Sequence, residues 1–365
     1  MTLILTFLGK GGSGRSICAI ATAKKLSAQG QRVLLVTEDA GPGFGLLLGQ
    51  AVTATPTALA DSLWCVQLQF AHLLEQNWEQ LKKLEAEYLR DPFFKAVYGQ
   101  ELSLLPGMDQ ALALNALREY DASGDYDVIV HDGSGDQASL RMWGMPAGID
   151  WYFRRFKQVF QASQFSKAVM PFVQPLAGAV LSGGRGLSGD LFNQPEVQQS
   201  TGLVGQGIAA VKDPMRVRAY LVSSGDAVAI ATARYLWGAA QQIEMTVAGV
   251  LLNRSDDNSD QDFEPLPVHA LPAYTGDWQP LIDVLPDYIA TPSAPAPVEI
   301  DPSTNTVRLF LPSLDKKQIQ LTQYGPEVTI EAGDQRRNLT LPKALQGRSV
   351  TGAKFQSGYL ILSFG

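Results

Sequence analysis

Eight residues near the start of the chain, Gly9-Lys10-Gly11-Gly12-Ser13-Gly14-Arg15-Ser16, constrain its fold more than any others. Before them, Leu3-Ile4-Leu5-Thr6-Phe7-Leu8 is almost wholly apolar, as a strand buried on both faces would be. After them, Ile17, Ile20, Ala21, Lys24 and Leu26 fall at helical spacing as far as Ala28, and Gly30 is a stop signal. Strand, glycine turn and helix in that order satisfy the phosphate-loop pattern G-x-x-x-x-G-K-[ST] at Gly9, Gly14 and Ser16. Arg15 stands where that pattern has Lys. Glycines let successive N–H groups curl around an anion, and the helix N-terminus adds partial positive charge. The plainer alternative is a Gly-rich turn in some other α/β protein, and the flanking strand and helix speak against it.

The rest of the first 285 residues alternates strand and helix. Gln31–Thr37, Asp127–Asp132, Arg218–Ser223 and Val247–Asn253 read as buried strands. Gln69–Leu89 and Ala227–Gln242 read as helices, the first amphipathic through Leu73, Leu74, Trp78, Leu81, Leu84 and Tyr88. Strands separated by helices predict a mostly parallel α/β sheet, here spanning 1–285. Residues of about 147–212 are aromatic-, Gly- and Gln-rich and read as a helical insertion. The Pro-rich stretch 286–298 reads as a semi-rigid linker. Beyond it, over 299–365, the apolar period becomes two: Val307, Leu309, Leu311, then Ile319, Leu321, Val328, Ile330, Leu339, Leu341, Tyr359 and Ile361. That pattern predicts a small all-β sandwich.

Composition removes several classes of function. A formal charge of −7 argues against broad nucleic-acid or acidic-membrane binding. No apolar run approaches the length of about 18 residues that a membrane span needs. The start has no signal-peptide pattern, so a cytoplasmic location is expected. Cys18 and Cys65 make no C-x-x-C pair, and no zinc site is predicted.

Two acidic positions matter most beside a phosphate loop. Asp132 closes a buried strand and is placed to order Mg²⁺ through water, with the Ser16 hydroxyl as direct ligand. Asp39, after the second strand, is the candidate that orients attacking water; Glu38 is its rival. Either Asp could instead be an ordinary strand-end turn residue. Asn253 ends another strand and can both donate and accept, as adenine recognition requires.

Together these segments resemble the ArsA/Get3 family of dimeric ATPases. The family loop G-K-G-G-x-G-K-[TS] is matched from Gly9 to Ser16, including the early Lys10. Asp39 falls at the family's first switch. Asp132-Gly133-Ser134-Gly135-Asp136-Gln137-Ala138-Ser139-Leu140-Arg141 has both ends of the second. Pro106-Gly107-Met108-Asp109 and Asp213-Pro214-x-Arg216 match further segments. Arg336–Pro342 and Gly358–Leu362 look like closing strands of the α-crystallin (small heat-shock-protein) fold. The whole is similar to the Get3-like form, found in photosynthetic organisms, that carries such a domain. The departures are Arg15, the missing Pro-Ala-His after Asp39, the residues Gly133 to Asp136, and the absent zinc-binding C-x-x-C.

The resemblance implies a homodimer that binds ATP or ADP with Mg²⁺ and hydrolyses ATP to ADP and phosphate. Nucleotide contacts would come from Gly9, Lys10, Gly11, Gly12, Ser13, Gly14, Arg15, Ser16, Ile17 and Asn253. Arg15 would touch the phosphates in cis and Lys10 those of the other subunit, while Asp39 would act on water. Nucleotide state would control a groove for hydrophobic or tail-anchored protein segments, for which Phe153, Phe156, Phe160, Met170, Phe172, Leu176 and Leu181 are candidates. A covered core face is the alternative for that stripe. Two other readings stay open: a nucleotide-bound chaperone or scaffold with little or no hydrolysis, motivated by Arg15 and the altered switches, and a metabolic relative acting on a small substrate.

Overall fold

The computed structural model describes residues 1–76, 107–162, 195–255, 262–325, 327–333 and 335–365. In chain order its first elements are β1 (Leu3–Leu8), α1 (Arg15–Ala28), β2 (Val33–Thr37), α2 (Gly43–Leu48), β3 (Thr57–Ala60) and β4 (Leu63–Gln67). Then come α3 (Met108–Ser123), β5 (Val128–Asp132), α4 (Gln137–Ala162), α5 (Pro195–Lys212), β6 (Val217–Ser223), α6 (Ala227–Gln242), β7 (Thr246–Asn253), β8 (Val268–Leu271) and α7 (Gln279–Val284). Residues 70–76 are helical; the remainder of the predicted helix to Leu89 lies outside the described residues. So do Pro106, the side chains of Phe153, Phe156 and Phe160, and Met170, Phe172, Leu176 and Leu181.

Eight strands form one sheet in the order β3-β4-β2-β5-β1-β6-β7-β8, parallel except for β3. β1 lies at the centre, paired with β5 and β6, and all six of its residues are buried. Alternation divides its side chains between two layers. Ile4 and Leu8 pack with Leu112, Leu140, Trp143 and Trp237 from α3, α4 and α6. Leu3, Leu5 and Phe7 pack with Ile20, Leu26 and Leu281 from α1 and α7. A strand covered on both faces must be apolar at every position, which is why β1 and β5 were legible as uninterrupted runs. The C-terminal ends of β1, β2, β5 and β7 open on one edge, the place where sheets of this kind bind ligands.

The Pro-rich stretch is attached to this sheet. Arg218 of β6, fully buried, donates to the Ala290 carbonyl at 3.0 Å and to the Tyr288 carbonyl, and Thr22 donates to the Tyr288 hydroxyl at 2.8 Å. Beyond it, β9 (Val298–Asp301), β10 (Thr306–Phe310), β11 (Ile319–Tyr324), β12 (Glu327–Ala332), β13 (Gln335–Thr340), β14 (Val350–Gln356) and β15 (Tyr359–Phe364) form two antiparallel sheets, β14-β15-β10-β9 and β11-β12-β13. Between them lies a separate core that includes Val307, Leu309, Val328, Ile330, Leu360 and Leu362. In β15 the inward phase is Leu360, Leu362 and Phe364, not the expected Tyr359 and Ile361. β15 is apolar on both faces, and its outer face is used as well: Tyr359 packs on Phe310 and under the Arg308 guanidinium, 4.4 Å from its ring centre.

The small domain is docked on α6. Trp237 meets Phe310 edge to face at 5.5 Å. Gly238 lies so near the Pro312 carbonyl that a Cβ there would come within 2.7 Å of its oxygen. Arg337 of β13, buried, donates to the Gln241 carbonyl at 3.2 Å and faces Glu244 at 3.0 Å, which Lys212 also pairs at 2.8 Å. A guanidinium this deep is tolerable only because a carboxylate neutralises it.

Candidate active site

The loop after β1 is held from three sides. The Gly9 N–H donates to the Gly135 carbonyl at 2.8 Å. The Asn253 amide donates to the Ser13 carbonyl at 2.9 Å, and Arg254 donates to the Gly12 carbonyl at 2.8 Å. Gly12 and Gly14 have φ of 82° and 98°, the left-handed region that glycine enters without strain. Gly9 has another reason to lack a side chain: a Cβ there would sit 2.1 Å from the Val222 carbonyl oxygen of β6. The loop is thus drawn against the sheet.

The helix that follows starts without a side-chain cap and with no acidic residue in its first turn. Two other helices are capped, by Asp226, which accepts from Val228 and Ala229 at the start of α6, and by Asp136, which accepts from Ala138 at the start of α4; α2, α3 and α7, like α1, have no side-chain cap. At α1 the free N–H groups and the dipole are left for an anion. Three buried polar atoms around the loop also have no partner: Ser13 Oγ, Arg15 Nε and Asn253 Oδ1. Buried polar atoms are normally satisfied, so a cluster of three marks a place built for a ligand with donors and acceptors of its own. A nucleotide with its phosphates in the loop fits that set.

Asp132 is buried at the end of β5, with the Ser16 hydroxyl near enough to act on its carboxyl. Burial pushes its carboxyl up to about 6, while Ser16, Arg15 and His131 pull the other way. The hard oxygen donors of Ser16 and Asp132 sit together, the chemistry that Mg²⁺ takes when it keeps most of its waters. Among the described residues no group of three or more His, Cys, Asp and Glu side chains is placed to hold a metal ion.

Arg15 is folded back over the loop, its Nη1 donating to the Gly9 carbonyl. Burial lowers its pKa, with Asp132, Asp136 and Glu38 acting in the opposite direction. A Cβ on Gly135 would lie 2.5 Å from Arg15 Cδ and Nε. The forked head of Arg15 therefore lies in the space that glycine at 135 leaves, which brings two departures from the family pattern into contact. Asp136 does not face the loop as a bare charge. Although burial raises its pKa, the Ser134 hydroxyl and the Ala138 amide hold it below the usual range.

Asp39 and Glu38 take opposite directions. Asp39 is exposed, and its Oδ1 accepts from the Gly41 amide within its own turn at 2.8 Å. Glu38 turns inward to His131, 2.9 Å away, and to the Ser134 amide at 3.2 Å. Lys10 is exposed at the mouth. Sequence reasoning took His131 as structural, named Gly135 only among the departures in the second switch, and passed over Arg254, whose one signal was its place directly after Asn253 at a strand end.

The comparisons with known proteins agree with this geometry. Residues 2–268 match the family described as anion-transporting ATPase, and residues 303–364 match the HSP20-like domain found in ArsA. A Chlorobaculum tepidum protein provisionally named arsenical pump-driving ATPase is 25% identical over 394 residues, spanning 99% of this chain and 95% of its own. Protein Rv2184c of Mycobacterium tuberculosis is 25% identical over 424 residues, with 99% and 95% covered. The ATPase ASNA1 homolog of Plasmodium vivax is 28% identical over 140 residues, 38% of this chain and 35% of that one. The resemblance read from the loop and switches is borne out: the chain belongs to the anion-transporting ATPase (ArsA) family and carries that family's HSP20-like domain.

Proposed function

We propose that this chain is a Mg²⁺-dependent ATPase that works as a homodimer and couples nucleotide state to the binding of hydrophobic protein segments. The observation that carries the reading is the uncapped start of α1 beside three unpartnered buried polar atoms. ATP or ADP would lie with its phosphates on the amides of Gly9 to Ile17 and its base toward Asn253. Ser16 would hold Mg²⁺ directly and Asp132 through water; the ion would neutralise phosphate charge. Arg15 supplies positive charge in cis from a position already fixed by Gly9 and Gly135. Lys10, exposed at the mouth, is placed for the phosphates of a second copy, where it would act as an arginine finger does. Asp39, exposed beside Asp132, orients or deprotonates water. The client surface rests on the aromatic pattern around Phe153, Phe156 and Phe160 alone.

A second reading, a nucleotide-bound scaffold with little turnover, is favoured by one observation: the Arg15 head is already engaged by the Gly9 carbonyl. Steady-state phosphate release separates the two. Asp39→Asn is expected to lower kcat by roughly two orders of magnitude with ATP affinity kept. Turnover by Asp39→Asn equal to wild type would remove Asp39 from the mechanism.

A further inference from the structure

Glu38 belongs to none of the roles above, yet both of its carboxylate oxygens are engaged. Its Oε1 lies 2.9 Å from His131 Nε2, and its Oε2 accepts from the Ser134 amide at 3.2 Å. The His131 ring is fully buried. Its Nδ1 is 3.0 Å from Thr6 Oγ1 on β1, and Trp143 of α4 packs edge-on against it at 5.7 Å. A Cβ on Gly133 would lie 2.5 Å from His131 Cε1, so glycine at 133 is what leaves room for the ring. The series Thr6, His131, Glu38, Ser134 therefore joins the central strand, β5, the segment after β2 and the segment after β5.

We propose that Glu38 is a clasp between the two switch segments, a positioning residue through which movement of one is imposed on the other. The inference rests on the ATPase reading above. The second segment already touches the loop through the Gly135 carbonyl on Gly9 and the Gly135 backbone against Arg15. Within this segment the Gly135 N–H donates to Ser139 Oγ at 2.9 Å, while the Ser134 N–H crosses to Glu38, beside a backbone bond from the Glu38 N–H to the Asp132 carbonyl at 3.0 Å. A shift of Gly135 caused by the phosphates pulls on Ser134, hence on Glu38, hence on Asp39 one residue later. His131 is the fixed post that keeps the clasp from slackening. Burial opposes the charge on Glu38, and the His131 and Ser134 hydrogen bonds outweigh it, leaving the carboxyl below its ordinary range and able to accept from both donors.

The test uses the full chain and three variants: Glu38→Gln, His131→Phe and the two combined. Gln keeps an acceptor oxygen for the Ser134 amide but puts an NH2 where the second carboxylate oxygen was, so His131 is held only in the other tautomer and without the charge. Each single change is expected to lower kcat for ATP about 10- to 100-fold while KM moves less than about threefold, as misplacement without lost binding would. The double variant is expected to be no slower than the worse single one, because both break the same connection. Hydrogen exchange of residues 38–43 and 133–139, with and without ATP, gives a readout free of turnover. In wild type both segments are expected to respond, and in Glu38→Gln only the second. If Glu38→Gln does not fold, Thr6→Val removes only the hydroxyl on His131, and several-fold loss of kcat at unchanged melting temperature is expected. Unchanged kcat with both segments still responding, or losses that simply add in the double variant, would overturn the clasp. Absence of phosphate release by wild type would overturn the ATPase reading instead, and the exchange experiment would still decide whether the segments are joined.

Discussion

Asp132→Asn is expected to make the nucleotide-free protein more heat-stable above pH 6 and to remove its Mg²⁺-dependent turnover. Both effects have one cause. Burial lifts the Asp132 carboxyl to about 6 in the folded chain, against an ordinary value near 3.9 for an exposed Asp. A folded-state pKa above the unfolded one means that folding favours the protonated form. Stability is therefore lost as pH rises from about 4 to about 6, and the full cost is carried above that window. At pH 8 the cost is about 2–3 kcal/mol by the usual conversion. Asn has no charge to bury, so melting temperature should rise by a few degrees at pH 8 and by almost nothing at pH 4. Scanning fluorimetry in chelator at the two pH values checks this. Phosphate release by the same variant should fall roughly 100-fold or more, since the water that Asp132 would hold on the ion loses its acceptor charge. A variant less stable than wild type at pH 8 would show that the carboxylate is stabilised where it lies, contrary to the account.

Gly9→Ala is the second large effect expected. The added methyl would meet the Val222 carbonyl oxygen at 2.1 Å and Ser13 Oγ at 3.1 Å. Val222 lies in β6, directly beside β1 in the sheet, so the loop must yield rather than the strand. Displacing Gly9 also breaks its bond to Gly135 and the Arg15 contact. ATP affinity should fall about 100-fold or more, near 3 kcal/mol, with a drop in melting temperature of the size overpacking gives. Gly11→Ala is the control for stability, because nothing lies within 4 Å of its Cβ position and its backbone is outside the left-handed region. Calorimetric titration and thermal melts of the two variants distinguish crowding from the mere loss of a glycine.

What could be read before the structure was what is repeated along the chain. β1 and β5 are uninterrupted apolar runs because helices cover both their faces. α6 was legible to the residue because Asp226 caps it and the apolar period holds to Gln242. β3 and β4 were missed: Thr57–Ala60 is a largely exposed edge strand of four residues, too short to show a period, and Leu63–Gln67, though apolar and largely buried, is only five residues long. α2 is six residues long and begins in glycine, so neither period nor propensity marks it. At the site, the loop, Ser16, Asp132 and Asn253 were visible as strand-end positions. The distinction between Glu38 and Asp39 was not, because adjacent carboxylates differ only in which way the backbone turns them. The pairing of Arg15 with Gly135 was equally hidden. It links residues far apart in sequence through a void that only coordinates reveal.

That pairing bears on the central claim, that this is a working Mg²⁺-dependent ATPase fitted around arginine rather than a site disabled by it. Phosphate release from ATP, with and without Mg²⁺, by wild type and by Arg15→Lys measures this directly. The account predicts steady Mg²⁺-dependent release by wild type and no gain with Lys, whose ammonium would leave the Gly135 space unfilled. ATP bound by wild type without Mg²⁺-dependent release, and release restored by Arg15→Lys, would contradict it.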